Sequence, residues 1–306
     1  MADKLVKGVY AALLTPRLGN GDFDGNSYRN QLEFLLGKGI EGFALNGATS
    51  EYSLITPEEL KKILEISKET LANRADFICG VGAASLRAAV KLGQLAMEGG
   101  ATGLLLPMPY FFPYSQDDLG SFCNSFAKQI PLPILLYNLP MFTSGLEAST
   151  VLDLIQQNEN IVGIKDSSGS LDILRAITES GLECTRVVGN DSALAPALCE
   201  GLCEGVISGV SCVLPEILKA MVESAPGSAE FERMSELLDV FTAQLNRFPT
   251  PWCLKFISES RKITSAWFPF PLSEGRAAEG AKLVEWFKLW KTAMIDSIPA
   301  MAMDAG

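Results

Sequence analysis

The chain has 306 residues, of which 48% are hydrophobic and 20% charged, with 36 acidic against 25 basic side chains. A formal charge of −11 and a pI near 4.7 exclude the basic footprint that nucleic acid or an anionic membrane surface requires, although local donors can still hold a small anion. Histidine is absent, which removes Ser-His and Cys-His nucleophile pairs and imidazole metal ligands and leaves acid–base work to Lys, Tyr, Cys, carboxylates or the substrate itself.

In chain order, short apolar runs alternate with amphipathic segments of helical length. Strands are predicted at VYAALLT (9–15), GFAL (42–45), FICGVG (77–82), GLLLP (103–107), PILLYN (133–138), IVGIK (161–165), RVVG (186–189) and GVISG (205–209). Helical patterns lie between them near 25–38, 57–72, 84–98, 115–129, 147–157, 170–180 and 191–201, with another after Pro215. Thr56-Pro57-Glu58-Glu59 reads as an N-cap followed by proline and first-turn acids. Eight β-then-α units within about 220 residues favour a closed (β/α)8 TIM barrel over an open doubly wound sheet. The open sheet would carry a glycine-rich phosphate turn after its first strand, and TPRLGNGDFDG contains no G-x-G-x-x-G.

From residue 221 onward the pattern is helical only, near 228–247, 251–262 and 275–296. The expected division is a catalytic barrel over 1–220 and an appended C-terminal helical bundle over 221–306, ending in a poorly ordered tail, SIPAMAMDAG (297–306). The richest apolar run, ATGLLLPMPYFFPY (101–114), is broken by three prolines and is no membrane span. The N-terminal MADKLVKG lacks the apolar core of a signal peptide, so the expected location is cytoplasmic. Seven cysteines, at 79, 123, 184, 199, 203, 212 and 253, form no C-x-x-C pair and are expected to be reduced core thiols.

In such a barrel the C-terminal strand ends converge on one mouth. Alternation puts Ile161, Gly163 and Lys165 on one face, and Leu135 and Tyr137 on one face of the neighbouring strand. Lys165 and Tyr137 should therefore meet there, with Gly163 leaving room for the lysine stem. An ordinary lysine is neutral in only about one molecule in a few thousand at pH 7, and desolvation raises that fraction. A neutral amine attacks a carbonyl, loses water and forms an iminium, an electron sink for an adjacent C–C bond. The strand pattern alone leaves a second reading open, in which Lys165 forms a structural ion pair with Asp166 or a loop carboxylate. Tyr137 alone reads equally well as packing with a solvated hydroxyl.

Four ordered motifs carry a resemblance that runs from about residue 8 to 290: Gly47-Ala48-Thr49-Ser50-Glu51, Tyr137-Asn138-Leu139-Pro140, Gly163-Ile164-Lys165-Asp166, and Gly189-Asn190-Asp191 followed by Gly205-Val206-Ile207-Ser208. In these the chain resembles the pyruvate-dependent Schiff-base lyases of the dihydrodipicolinate synthase and N-acetylneuraminate lyase superfamily. The resemblance implies Lys165 as the Schiff-base lysine and Tyr137 as the acid–base phenol. Thr49 and the amides of Ala48 and Thr49 would hold the keto-acid carboxylate, and Ile207 would line the pocket. It implies no cofactor beyond the covalent lysine–pyruvate imine, no metal, and a homotetramer or dimer.

Departures from the family pattern bear on the substrate. Ala48 stands where many members have a hydroxyl. Phe111, beside Tyr110, aligns with a tyrosine that many members send into a neighbouring subunit's site. Phe142 occupies the position at which the synthases grip a second carboxylate with arginine, and losing that fork is not conservative. The segments PYFFPYSQDDL and KDSSG look similar to aldolases of 2-keto-3-deoxy sugar acids, where Ser167 and Ser208 would bond substrate hydroxyls. Their plainer readings are a helix N-cap for Ser167 and a strand-end loop hydroxyl for Ser208. The first expectation is a class I aldolase that reversibly splits a 2-keto-3-deoxy or 4-hydroxy-2-oxo acid into pyruvate and an aldehyde. The alternatives are dihydrodipicolinate synthase with sialic acid lyase behind it, and a catalytically silent barrel that binds keto acids. A metal-dependent aldolase is disfavoured by the missing histidines, though carboxylates can hold Mg²⁺.

Overall fold

The computed structural model describes residues 5–295, so the tail at 297–306 lies outside the described residues. Eight strands follow one another around a closed parallel barrel: β1 (Gly8–Ala12), β2 (Gly42–Leu45), β3 (Asp76–Gly80), β4 (Gly103–Pro107), β5 (Ile134–Asn138), β6 (Ile161–Asp166), β7 (Thr185–Val188) and β8 (Gly205–Ser208), which pairs back onto β1. Each crossover carries a helix: α1 (Gly25–Gly37), α2 (Pro57–Leu71), α3 (Leu86–Glu98), α4 (Gln116–Ala127), α5 (Ala148–Gln157), α6 (Asp172–Ser180) and α7 (Leu194–Cys199). After β8 come α8 (Pro215–Glu223), α9 (Ala229–Leu245), α10 (Trp252–Ser260) and α11 (Glu274–Ile295).

The strands are apolar on both faces because both are covered. Tyr10, Ala12, Ala44, Ile78, Leu105 and Leu135 fill the barrel interior with Tyr137, Val187 and Ile207. Residues of opposite phase, such as Val9, Phe43, Leu45 and Leu136, pack outward with the helices. Each such Leu, Ile or Phe contributes about 1.5–3 kcal/mol relative to leaving it exposed. The filled interior blocks the bottom of the barrel and leaves chemistry to the mouth.

Helix starts follow their signals. Thr56 accepts from the Glu59 amide while the Glu59 carboxylate accepts from the Thr56 amide, a reciprocal cap that fixes where α2 begins. One expected helix, 191–201, is shortened. Asp191–Ala193 forms a 3₁₀ turn that the Asn190 side chain initiates by accepting from the Ser192 amide, so α7 starts at Leu194.

The last helices are tied to the barrel rather than hung from it. Helix α9 packs on α8, and α10 touches the 3₁₀ turn Val210–Cys212 that follows β8. Phe241 of α9 stacks with Trp286 and Trp290 of α11. None of the seven cysteines is in a disulfide, and Cys199 is exposed and Cys203 half-buried while the other five are buried. Among the described residues no helix is long and apolar enough to cross a membrane.

Candidate active site

Strand register sets the central pair. Leu135 pairs with Gly163 and Tyr137 with Lys165, so the phenol and the amine leave adjacent strands at the same height and on the same side. The Lys165 Nζ donates to Tyr137 Oη at 3.2 Å and lies 4.3 Å from the ring centroid. Lys165 is 4% exposed and Tyr137 is 3% exposed. Among the described residues no carboxylate forms a salt bridge with the lysine. Asp166 turns away from it: Oδ1 accepts from the Asn138 side chain and the Ser168 amide, while burial raises the carboxyl above its ordinary value against those bonds. The reading of Lys165 as half of an ion pair with Asp166 or a loop carboxylate is therefore replaced by an amine facing a phenol.

The room for the lysine stem comes from another place than the sequence suggests. A Cβ on Gly189, just after β7, would sit 2.5 Å from Lys165 Cε and 2.1 Å from Ser167 Oγ. At Gly163 an added Cβ would instead strike the Thr185 carbonyl oxygen at 1.9 Å. Gly163 thus lets β6 and β7 approach, and Gly189 makes space for the amine. Only the first of these contacts is between paired strands, which is why β6 alone misplaces the cause.

Three polar side chains gather round that amine. Ser167 is 8% exposed, and its hydroxyl has no partner. It caps no helix, since α6 begins at Asp172 after Leu171. Ser208 is 1% exposed and its hydroxyl accepts from the Val210 amide, the strand-end role that its position suggests. Asp191 is partly exposed as a residue, yet its Oδ1 is enclosed and without a hydrogen-bond partner. Loss of hydration pushes this carboxyl up to about 6, with the Ser208 hydroxyl and the charge of Lys165 pulling it back. Ile207, buried on β8, belongs to the same interior cluster as Tyr137.

The loop after β2 forms the opposite wall. The Asn46 side chain donates to the Gly80 carbonyl at 2.7 Å and the Ser50 hydroxyl to the Leu13 carbonyl at 2.6 Å, which pins Gly47–Glu51 to β1 and β3. Among the described residues the amides of Ala48 and Thr49 meet no protein acceptor. These two adjacent unpaired amides and the buried Thr49 side chain are a set of donors without net charge. Glu51 closes the loop in a left-handed conformation, φ 56°, and pairs with Lys255 of α10. Burial lowers Lys255 from its ordinary value, opposed by Glu51. Helix α10 therefore holds the Gly47–Glu51 loop in place.

A pocket of about 360 Å³ opens beside this loop, lined among others by Ala48, Tyr52, Leu54, Tyr110 and Phe142. Among the described residues its lining has no arginine or lysine, and its one charged residue, Glu51, is engaged by Lys255. Phe142 is half exposed at its edge. Phe111 does not join it: its ring is 84% exposed, packed edge-on against Phe112, with φ at +89°. That backbone region is costly for a bulky side chain, about 1–3 kcal/mol. Among the described residues no three carboxylate or thiol side chains converge as a metal cluster.

Against this geometry, the profile of the dihydrodipicolinate synthetase family matches residues 5–266. The chain belongs to that family. A 4-hydroxy-tetrahydrodipicolinate synthase of Bartonella bacilliformis is 33% identical over 189 residues, which cover 61% of this chain and 64% of that enzyme, just short of two thirds of its length. The synthase of the same name from Syntrophus aciditrophicus is 31% identical over 253 residues, 81% and 86% of the two chains. The crystal structure of dihydrodipicolinate synthase from Aquifex aeolicus superposes with a TM-score of 0.87 at 27% identity, over 93% of this chain and 98% of that one. Dihydrodipicolinate synthetase family members are pyruvate-dependent class I aldolases and lyases that use a lysine–pyruvate Schiff base without an external cofactor.

Two residues of this family member's mouth carry no role in the sequence reading. Asp191 lies in a recognised motif, but only the fold turns its carboxyl toward Lys165. Tyr52 directly follows the Gly47–Glu51 loop, and the 3₁₀ turn Tyr52–Leu54 swings its ring toward Tyr110, with centroids 5.9 Å apart. A bulky aromatic next to a loop of small residues is the one signal that marks it.

Proposed function

We propose that this protein is a class I aldolase that reversibly cleaves a 2-keto-3-deoxy or 4-hydroxy-2-oxo acid into pyruvate and an aldehyde. The observation that carries the reading is the Lys165 Nζ–Tyr137 Oη contact of 3.2 Å, buried beside the unpaired amides of Ala48 and Thr49. With the keto-acid carboxylate on those amides and the Thr49 hydroxyl, C2 faces the Lys165 amine. The amine forms a C–N bond to C2, and the oxygen leaves as water after taking one proton from the attacking nitrogen and one from Tyr137. Tyr137 then accepts the proton of the C4 hydroxyl as the C3–C4 bond breaks. The electron pair of that bond moves into the iminium, giving an enamine and an aldehyde. Protonation of the enamine at C3 and addition of water return the amine and release pyruvate. Ser167 and Ser208 would orient hydroxyls of the acyclic chain, and Ile207 would close the pocket floor.

The pocket favours a neutral aldehyde. Among the described residues its lining carries no arginine or lysine to hold a second carboxylate, and Arg17, which reaches the Leu54 carbonyl, is engaged by Glu59. The second reading, condensation of pyruvate with aspartate semialdehyde, is supported by the name of the curated relatives. We further propose a homo-oligomer, with the exposed rings of Phe111 and Phe112 as surface that a second copy covers. A pyruvate-release screen across 2-keto-3-deoxy acids of four to seven carbons, run beside the synthase reaction, separates the two activities. Release from at least one keto-deoxy acid, with kcat/KM about 100-fold above that for the semialdehyde pair, is expected. Efficient turnover of aspartate semialdehyde instead would overturn the assignment.

A further inference from the structure

Among the described residues the Tyr137 hydroxyl has one hydrogen-bond partner, Lys165 Nζ. The chemistry changes that partner: the amine carries at least two N–H bonds, and the iminium bonded to C2 keeps only one. Tyr137 must nevertheless carry negative charge between giving its proton to the departing hydroxyl and taking one from the C4 hydroxyl. A phenolate inside a buried mouth needs a donor aimed at it. Ala48 offers a methyl group, and Phe111 and Phe142 offer none.

Tyr52 is placed to do it. Its ring lies over the ends of β3 and β4, in a space that exists because residue 82 is glycine: an added Cβ there would sit 2.5 Å from Tyr52 Cε2 and 2.9 Å from Pro107 Cγ. Pro107 is the register partner of Tyr137 across β4 and β5. Tyr52 thus borders Pro107, one strand from the catalytic phenol, and it shares its pocket with Ala48. Among the described residues nothing occupies its hydroxyl. The main chain is held as well, with the Tyr52 amide on the Gly47 carbonyl and the preceding Glu51 fixed by Lys255.

We propose that Tyr52 is a positioning residue for the reaction, donating a hydrogen bond to the Tyr137 oxygen while that oxygen is charged, from the space that Ala48 leaves open. Tyr52 gains and loses no atom; its proton stays on its own oxygen while the mobile proton passes between Tyr137 and the substrate. Burial pushes the Tyr52 hydroxyl well above its ordinary value, and the neighbouring phenols of Tyr110 and Tyr137 add to this, so it remains a neutral donor throughout the working range. The inference rests on the Schiff-base reading above.

The test needs pyruvate alone. Enamine formation exchanges the methyl hydrogens of pyruvate for deuterium in D₂O, which NMR follows as a function of pH. Tyr52→Phe keeps the ring against Tyr110 and Pro107 and removes only the oxygen. Its exchange kcat should fall about tenfold with KM for pyruvate within twofold, and its pH–rate profile should move to higher pH by about one unit. Adding Ala48→Ser to Tyr52→Phe, which returns a hydroxyl to the shared pocket, should recover a substantial part of the loss. Exchange by Tyr52→Phe within twofold of the unmodified protein overturns the inference, as does a slow variant with an unmoved pH profile and no recovery by Ala48→Ser. If the unmodified protein exchanges nothing, the Schiff-base reading itself falls and this inference with it.

Discussion

Lys165→Met should abolish turnover of any keto-acid substrate, lowering kcat by at least about 10³-fold, while the folded protein survives. The thioether fills the buried channel beside Gly189 that the lysine stem occupies, and it cannot bond to a carbonyl carbon. Removing the amine breaks no salt bridge, because Lys165 has a phenol rather than a carboxylate against its nitrogen; it only withdraws from Asp191 a charge that favours the ionised carboxyl. The cost of breaking a buried salt bridge, about 3–5 kcal/mol, is therefore not incurred. Thermal melting within a few degrees of the unmodified protein, together with lost activity, is the expected pair of results. Retention of a tenth or more of the activity would mean that another group performs the attack.

Tyr137→Phe is the second large effect. Its ring belongs to the interior column with Leu105, Leu135 and Ile207, and phenylalanine preserves that packing. The hydroxyl is what the variant removes, and with it the group that protonates the departing oxygen and deprotonates the C4 hydroxyl. A general acid–base group contributes about 10²–10⁴-fold, so kcat should fall into that range with little change in KM. Imine formation should slow but not stop, since water can replace a phenol as proton donor at the mouth. Steady-state kinetics beside the melting temperature distinguish this from unfolding. A kcat within threefold of the unmodified protein would assign Tyr137 to packing alone.

How much of this was legible beforehand varies with the range of the interaction concerned. Strand alternation placed Tyr137 and Lys165 side by side, because register between adjacent parallel strands is a local property of two short segments. The barrel itself was legible for the same reason, as the repeat of apolar runs and capped helices is written in consecutive residues. The room for the lysine stem lies at Gly189 rather than Gly163 because a close approach between the segment after β7 and a side chain of β6 has no trace in either segment alone. Ser167 looked like a helix cap, and only the start of α6 five residues later released it for the site. Tyr52 and Asp191 needed the fold most. Each sits on a short 3₁₀ turn whose direction, and so the aim of its side chain, is set by contacts from distant elements. The support given by α10, through Lys255 on Glu51, was equally silent, since a lysine in an amphipathic helix reads as a solvated face.

Ala48 and Phe142 sit at the mouth, where a side chain can change without disturbing the barrel. Ala48 packs against the edge of the interior cluster and Phe142 lies outside it. Both line a pocket bordered by the rings of Tyr52 and Tyr110, and among the described residues that lining carries no arginine or lysine.

Reduction with sodium borohydride in the presence of pyruvate, followed by intact-mass and peptide analysis, is the most direct measurement. One reduced pyruvate unit per chain, attached at residue 165 and absent from Lys165→Met, is predicted. A protein that binds pyruvate reversibly yet gains no mass, or that carries the adduct on another lysine, would contradict the account.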